Sequence, residues 1–360
     1  MKKTEAKLVL SDGSIFSGYS FGYPINISGE IVFNTGMVGY PETMTDPSYK
    51  GQILVFTYPL IGNYGVPADT LNPEGMKINF ESDSIQCSAI VVSELSEEFE
   101  HYTSVKSLND WMYENKIPGI TGIDTRMLTK RLREAGTMPA KIIVDDKIDI
   151  DFEDPNSRDL AGEVSTKEIQ VYEKGPKKIV LVDCGTKNNI INAFLLRDIT
   201  VIRVPYDYDF TTMEYDGVLI SNGPGDPKKC VKTIIHIQKI LNDSKPVLGI
   251  CLGCQILALA AGGDTYKLKY GHRGLNQPAV EVGTKKCYIT SQNHGYAVDA
   301  KTLPQDWREW FINDNDGTNE GIFHISKPLF GSQFHPEASP GPDDSEFIFD
   351  MFIRALKQRD

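Results

Sequence analysis

The sequence predicts an α/β protein of two domains: a strand-rich α+β N-terminal domain, then an open, mostly parallel sheet with helices on both faces. Three observations support this prediction. Strand and turn signals dominate residues 1–144, strands and helices alternate from residue 178 onward, and an acidic stretch closed by proline separates the two patterns. Alternating strands and helices favour a parallel sheet, because each connecting helix covers one sheet face. A chain of 360 residues, 40% of them hydrophobic, is long enough for two such cores.

The N-terminal domain, predicted to span residues 1–144, begins with a hairpin. Two short apolar segments, 8–10 and 15–16, lie on either side of Ser-Asp-Gly-Ser at 11–14, a sequence typical of a tight turn. We expect further strands at 29–34 and 52–57 and a helix at 125–135.

Residues 145–177 are predicted to be a linker. The segment 145–155 is strongly acidic and ends at Pro155, so it lacks the apolar residues needed to bury a continuous face. The second domain is then expected to span residues 178–360.

The second domain shows strands and helices in alternation. Helical periodicity is clear in residues 228–242, where Val231, Ile234, Ile235 and Leu241 fall on one face. We expect the following elements: strand 179–183, helix 188–197, strands 200–204 and 217–221, helix 228–242, strand 246–250, helix 252–261, a strand-rich region at 265–335 and a final helix at 344–357.

The charge and hydropathy of the chain exclude several classes of partner. Lysine and arginine number 37 and aspartate and glutamate 49, which gives a net charge of −12. An acidic surface disfavours nucleic acid, whose phosphate backbone needs cationic contacts. No apolar run approaches the roughly 20 residues that span a bilayer, and the first residues lack the apolar stretch of an export signal. We therefore expect a cytoplasmic protein that contacts neither nucleic acid nor membrane.

The six cysteines are expected to be reduced thiols, given this location. Cys251 and Cys254 have the Cys-x-x-Cys spacing of a redox or metal pair. A zinc site would need a second such pair, or histidines at ligand spacing, and the sequence has neither. No metal is therefore predicted, whereas a redox pair stays open as an alternative.

The sharpest chemical motif is Gly249-Ile250-Cys251-Leu252-Gly253, placed between a predicted strand and a predicted helix. A tight strand-to-helix turn raises the central side chain above the sheet, and the glycines permit its strained backbone. The partial positive charge at the start of the helix favours a thiolate at Cys251. The N–H of Leu252 is left to face a developing oxyanion. The same pentapeptide is also compatible with a small cysteine buried in a turn.

Two further motifs lie where the same chemistry needs them. Ser-Asn-Gly-Pro-Gly-Asp-Pro at 221–227 follows a strand, and ligands collect at the carboxyl ends of parallel strands, so Gly223 could supply a second oxyanion donor. His335-Pro336-Glu337 offers a base and a carboxylate that orients it. Taken singly, the first also suits an ordinary Pro-Gly turn and the second a surface histidine near an exposed glutamate.

Together these motifs resemble the triad (class I) glutamine amidotransferases, in the order that this family shows. The resemblance implies that Cys251 is the nucleophile, His335 the base and Glu337 its orienting acid, with Gly223 and Leu252 as oxyanion donors. It implies a glutamine-binding set that contains Gly223, Gly225, Leu252, Gln255, Asn293, Gly295 and Tyr296. The sequence departs from the family at Cys254, where histidine is common, and at Tyr296, where phenylalanine is common.

The first half resembles the small subunit of carbamoyl-phosphate synthetases in four segments, at 29–40, 45–49, 58–63 and 122–126. Other triad amidotransferases do not carry this domain. The resemblance therefore covers essentially the whole chain. It implies that Ser48 reaches glutamine bound between the two domains.

The function implied is hydrolysis of L-glutamine to glutamate and ammonia, with the ammonia passed to a large synthetase subunit for carbamoyl phosphate, used in arginine or pyrimidine biosynthesis. The chain has no Gly-x-x-x-x-Gly-Lys-Ser/Thr loop, so ATP and Mg²⁺ are expected only on the large subunit and no cofactor is expected here. Three alternatives stay open: an amidotransferase subunit of another synthetase, a glutamine-binding regulatory subunit without catalysis, and a thiol redox protein.

Overall fold

A computed structural model describes residues 4–357, and the chain divides into two compact units between Arg158 and Asp159. The residues predicted to be a linker are shared between these units. The acidic part stays with the first unit through polar contacts: the Asn26 amide binds the carbonyls of Asp145 and Ile148 at 2.9 and 2.8 Å. The remaining part contributes a helix and a strand to the second unit.

The first unit contains eleven strands and three helices within its described residues. The strands are β1 (Glu5–Leu10), β2 (Ile15–Gly22), β3 (Ile27–Asn34), β4 (Gln52–Phe56), β5 (Leu60–Ile61), β6 (Val66–Pro67), β7 (Ala89–Val91), β8 (Glu94–Leu95), β9 (Ser104–Lys106), β10 (Pro118–Thr121) and β11 (Met138–Ile143). The helices are α1 (Tyr40–Thr45), α2 (Leu108–Glu114) and α3 (Thr125–Ala135), with 3-10 turns at Pro47–Tyr49 and Pro155–Ser157.

Seven of these strands form a closed barrel in the order β1-β11-β3-β4-β7-β10-β2. The predicted hairpin is confirmed, since β1 and β2 pair antiparallel around a turn in which Gly13 takes a positive φ of 87°. The predicted helix coincides with α3, which starts where the Asp124 carboxylate accepts from the Met127 N–H and ends at Gly136. The closure of the barrel was not predicted.

The second unit alternates strands and helices as expected and then becomes strand-rich. Its strands are β12 (Gln170–Tyr172), β13 (Lys177–Asp183), β14 (Ile199–Pro205), β15 (Gly217–Ile220), β16 (Val247–Ile250), β17 (Asp264–Glu281), β18 (Cys287–Asp299), β19 (Trp307–Asn313), β20 (Asn319–His324) and β21 (Leu329–Ser332). Its helices are α4 (Leu160–Val164), α5 (Asn188–Leu195), α6 (Val231–Ile240), α7 (Leu252–Ala261) and α8 (Phe347–Lys357), with 3-10 turns at Pro227–Lys229 and Ala300–Thr302.

The ten strands of the second unit form one sheet in the order β12-β14-β13-β15-β16-β21-β20-β19-β17-β18. Strands β14, β13, β15, β16 and β21 run parallel. Strand β12 pairs antiparallel with β14. Strands β17 to β20 also pair antiparallel, because no α-helix crosses over between them. The predicted α/β class is confirmed, and the parallel half of the sheet carries the candidate site.

Helices cover both faces of this sheet. On one face α6 and α7 pack on alternate strand residues such as Val218 and Val247. On the other face Phe352 of α8 contacts Phe194 of α5 and Phe330 of β21. The buried residues of α6 differ from the predicted apolar face, since Val231 is 56% exposed. None of the helices within residues 4–357 is long and apolar enough to cross a membrane.

Candidate active site

Cys251 lies at the turn between β16 and α7, with φ 53° and ψ −105°. Both flanking glycines are sterically required there. A Cβ on Gly249 would lie 2.4 Å from the carbonyl oxygen of Gly253, and one on Gly253 would lie 2.1 Å from that of Ile220. The Cys251 N–H donates to the Ser332 carbonyl of β21 at 2.8 Å. The turn predicted from the pentapeptide is thus present, and Cys251 is 2% exposed.

His335 and Glu337 reach the same edge of the sheet. They follow β21, which pairs parallel with β16, so both segments leave the sheet at its carboxyl edge. His335 Nδ1 lies 2.7 Å from Glu337 Oε1, and both residues are 2% exposed. The segment is also fixed by its backbone, since the His335 N–H donates to the Ser291 carbonyl at 2.9 Å.

The electrostatics of these three residues favour an ionised histidine. Burial alone would lower the pKa of His335, but the Glu337 carboxylate and the Cys251 sulfur together outweigh it and raise that pKa. Burial alone would raise the pKa of Glu337, but Lys187 and His335 hold that pKa well below its usual range. Among residues 4–357, His335 Nε2 makes no hydrogen bond of good geometry. Loose contacts of this kind are common in sites without substrate.

Lys187 is a member of the site that the sequence analysis did not identify. Its ammonium lies 3.0 Å from Glu337 Oε1 and donates to the Ala338 carbonyl at 2.5 Å, and the residue is 3% exposed. A fully buried lysine normally needs a charged partner. Its only sequence signal was its position just after a predicted strand, at the edge where ligands collect.

The predicted oxyanion donors lie side by side. A Cβ on Gly223 would lie 2.9 Å from a side-chain carbon of Leu252 and 2.0 Å from the Cys184 carbonyl oxygen. Within the described part of the chain, neither the Gly223 nor the Leu252 N–H donates a hydrogen bond. Two unused donors beside a nucleophile are suited to a negatively charged oxygen.

The predicted glutamine-binding residues of the second unit gather around the cysteine. The Cys251 sulfur lies 3.6 Å from the Asn293 carbonyl oxygen. The Gln255 amide donates to the Tyr296 carbonyl at 2.8 Å. Gly295 lies between Asn293 and Tyr296 on β18.

Gly225 lies in the loop that follows β15, where its φ of 87° favours glycine. A Cβ there would contact Leu160 at about 3.4 Å.

Gln333 is a second residue that the sequence analysis did not assign. Its amide nitrogen lies 3.7 Å from the Cys251 sulfur, and its amide oxygen accepts from Gln255 at 3.0 Å.

Ser48 lies in the first unit, in the 3-10 turn Pro47–Tyr49, where its N–H donates to Asp46 Oδ1 at 2.9 Å. It is 6% exposed. Its contact with glutamine stays a prediction.

Comparisons with known proteins identify the family. A sequence profile described as "Carbamoyl-phosphate synthase small chain, CPSase domain" matches residues 8–142, and one described as "Glutamine amidotransferase class-I" matches residues 180–355. The chain is 48% identical over 362 residues to the carbamoyl phosphate synthase arginine-specific small chain of Neosartorya fischeri, with 98% of this chain and 80% of that relative covered. This chain belongs to the carbamoyl-phosphate synthase small-chain family.

Two longer relatives are equally similar. The match to the multifunctional protein CAD of Squalus acanthias is 51% identical over 357 residues and covers 98% of this chain. The match to a mitochondrial carbamoyl-phosphate synthase of Homo sapiens, whose name specifies ammonia, is 49% identical over 362 residues and covers 99% of this chain. The small chain spans only 16% and 24% of those two relatives.

A second buried cluster of titratable groups joins β17, β18 and β20. His272 Nε2 lies 2.9 Å from Asp316 Oδ2, and His272 Nδ1 lies 3.1 Å from Glu320 Oε1. One ligand atom each of His272, His294 and Glu320 lies within 4.8 Å of the others, a donor set that zinc accepts. Burial alone would lower the pKa of His272, but the two carboxylates outweigh it and raise that pKa. Hydrogen bonds and ion pairs join these groups into one network in the structure.

Cys254 lies on α7 with its side chain fully buried against Gly331. Burial raises the pKa of the Cys254 thiol. Thiol exchange requires an accessible thiolate. The environment of Cys254 therefore disfavours the redox alternative.

Proposed function

We propose that this small chain hydrolyses L-glutamine to glutamate and ammonia through a thioester on Cys251. One observation carries the proposal: Cys251 stands at a strained turn after β16, and the adjacent strand β21 leads to a buried His335–Glu337 pair that is hydrogen-bonded at 2.7 Å and interacts with the Cys251 sulfur. This is the arrangement of a nucleophile, a base and an orienting acid. The match of residues 180–355 to the class-I glutamine amidotransferase profile supports glutamine as the substrate.

In the proposed acylation, the Cys251 thiolate attacks the side-chain amide carbon of glutamine. The N–H groups of Gly223 and Leu252 stabilise the resulting oxyanion, each by about 3 kcal/mol. His335 then gives its proton to the leaving ammonia, a contribution of about 10²–10⁴-fold. The thioester is hydrolysed by a water molecule that His335 deprotonates.

The neighbouring charges suit these proton transfers. Glu337 stays ionised because Lys187 and His335 both lower its pKa, so it can hold the imidazole in one orientation. The Glu337 carboxylate also raises the pKa of His335, which favours a protonated ring that can give its proton to the leaving ammonia. The side-chain amide of Gln255 donates to that of Gln333, so each holds the other in place.

The ammonia is proposed to pass to a large synthetase chain that makes carbamoyl phosphate from bicarbonate and ATP. The name of the Neosartorya fischeri relative, a small chain, supports a partner of this kind. The sequence has no phosphate-binding Gly-x-x-x-x-Gly-Lys-Ser/Thr loop, so ATP and Mg²⁺ are assigned to the partner. A cytoplasmic location is proposed too, in keeping with six unpaired cysteines.

The test is a Cys251→Ser variant assayed together with the large chain. Synthesis driven by glutamine should vanish, while synthesis driven by an ammonium salt should remain at the wild-type rate. Cys287→Ser is the matched control, because Cys287 is an exposed, unpaired cysteine of the same unit. Unchanged glutamine use by Cys251→Ser would falsify the nucleophile assignment. A wild-type chain that binds glutamine without hydrolysing it, with Cys251 unreactive to iodoacetamide, would favour a regulatory subunit instead.

A further inference from the structure

A single turn of the second unit contacts both the loop that carries Gly223, called the oxyanion loop, and Glu337 of the proposed triad. Residues 183–187, the 183–187 turn, join the end of β13 to the start of α5. Their backbone packs against the loop that carries Gly223, and their last residue pairs with Glu337. The groups that hold this turn in place therefore act on the site without touching substrate.

The contacts of the turn with the oxyanion loop are close and directional. The Cys184 N–H donates to Ser221 Oγ at 2.9 Å, and the Lys187 N–H donates to Asn222 Oδ1 at 3.1 Å. A Cβ on Gly185 would lie 3.1 Å from Gly223 Cα. A shift of the turn would therefore move the N–H of Gly223.

The contacts with the triad lie at the other end of the turn. The Lys187 ammonium is 3.0 Å from Glu337 Oε1, and the Asn189 amide, at the start of α5, donates to the Glu337 carbonyl at 2.5 Å. Glu337 in turn orients His335. Displacement of the turn would change both the charge beside Glu337 and the direction of the imidazole.

The turn is anchored by the fully buried carboxylate of Asp183. Its Oδ1 accepts from the N–H groups of Gly185 and Thr186 at 2.9 and 2.8 Å. Its Oδ2 accepts from the Nε and Nη2 of Arg203 at 2.8 Å each, and from the Thr166 N–H at 2.7 Å. One oxygen shapes the turn and the other ties it to β14.

We propose that Asp183 and Arg203 are positioning residues for glutamine hydrolysis, because their ion pair fixes the 183–187 turn against the oxyanion loop and Glu337. This inference rests on the proposed function. A displacement of about 1 Å at a catalytic group can cost about 100-fold in rate. The pair is expected to act on kcat more than on KM, because the turn contacts the loop that carries Gly223 and the Glu337 carboxylate, whose proposed roles are in the chemical steps.

The test compares Asp183→Asn and Arg203→Lys with the wild-type chain in complex with its large chain. In Asp183→Asn, an amide oxygen can still accept from Gly185 and Thr186, but the charge that holds Arg203 is lost. Arg203→Lys keeps the charge and loses the paired Nε and Nη2 contacts. We expect kcat for glutamine hydrolysis to fall by about 10- to 100-fold in Asp183→Asn and by less in Arg203→Lys. KM should change by less than about 3-fold, and ammonium-driven synthesis should not change.

Asp207→Asn is the matched control, because its carboxylate forms an exposed ion pair with Lys232 in the same unit. Titration of Cys251 with an alkylating glutamine analogue counts the active sites, so kcat is expressed per intact site. A normal kcat per intact site in both variants would overturn the proposal and leave Asp183 a purely structural role. If Asp183→Asn does not fold, the kcat per intact site of Arg203→Lys alone tests the proposal. A wild-type chain without glutaminase activity would contradict the proposed function, whereas active wild type with equally active variants contradicts only this inference.

Discussion

The backbone of Cys251 occupies a conformation that residues with a side chain seldom adopt, at a cost of about 1–3 kcal/mol. The surrounding packing enforces it. The Cys251 N–H is bound to Ser332, and neither Gly249 nor Gly253 has room for a methyl group. The sulfur is therefore held rigidly where β16 ends, at the expense of local stability.

A Gly253→Ala variant tests how closely this turn is packed. Alanine is a better helix former by about 1 kcal/mol, so propensity alone predicts a more stable α7. The new methyl group would instead lie 2.1 Å from the Ile220 carbonyl oxygen. We expect a net loss of about 1–3 kcal/mol in the free energy of unfolding by urea, together with lost glutamine hydrolysis.

Gly317→Ala provides the comparison for that measurement. A Cβ on Gly317 has no neighbour within 4 Å, so only its positive φ of 74° opposes the change, at about 1–2 kcal/mol. Its hydrolysis should stay normal. A Gly253→Ala chain that is as stable and as active as the wild type would contradict the steric interpretation.

At the scale of elements, buried charge joins β20 to β17 and β18, two strands from which β19 separates it in the sheet. Glu320 of β20 interacts with His272 of β17 and lies 3.7 Å from His294 of β18. Burial alone would raise the pKa of Glu320, but His294 and His272 outweigh it and lower that pKa. This network supports the strand that carries Asn293 and Tyr296.

The pH dependence of stability should report on Glu320. Because its pKa is lowered on folding, its contribution is present above the unfolded value of about 4.3 and disappears as pH falls through the folded value. As pH decreases below about 4.5, we expect the urea concentration at the midpoint of unfolding to decrease in the wild type. The decrease should be less steep in Glu320→Gln. At neutral pH the variant should be less stable, since His272 loses a buried partner.

Glu346→Gln is the control for this pH series, because Glu346 is half exposed and pairs with Arg197 at the surface. Exposed pairs of this kind contribute about 0–1 kcal/mol. Identical pH profiles for Glu320→Gln and the wild type would show that Glu320 titrates as it does in the unfolded chain.

The elements that the sequence predicted are those with a local signal. Strand β16, Cys251 and α7 follow from one apolar run and two glycines. The barrel was missed because β3 pairs with β4 and β11 at long range, which no local pattern encodes. The acidic segment was interpreted as a linker because its attachment depends on the Asn26 amide, not on apolar burial.

The residues of the site divide in the same way. Cys251, His335 and Glu337 were predicted because they stand in short motifs whose chemistry is recognisable. Lys187 and Asp183 were missed because their function depends on a loop 35 or more positions away along the chain. Burial of a charged residue beside a strand end becomes visible only in the fold.

At the scale of the whole molecule, each unit has its own hydrophobic core. The first core includes Leu54, Ile90 and Trp111, and the second includes Val182 and Leu257. The proposed chemistry uses residues of the second unit, and Ser48 is the one predicted contribution of the first.

A Ser48→Ala variant tests that contribution. We expect KM for glutamine to rise by about 5-fold with kcat little changed, the factor that corresponds to about 1 kcal/mol for one hydrogen bond. Ser84→Ala, an exposed serine of the same unit, should leave both constants unchanged. Equal KM values for Ser48→Ala and the wild type would remove Ser48 from the glutamine site.

The closed barrel of the first unit has one further consequence. Since β1 pairs with both β2 and β11, the seven barrel strands leave no backbone edge exposed among the residues that the structure describes. The sheet of the second unit ends in two edge strands, β12 and β18. Intermolecular strand addition needs such an edge. The barrel therefore offers no edge for such growth, whereas β12 does, so a charged or proline substitution in β12 should reduce aggregation during purification.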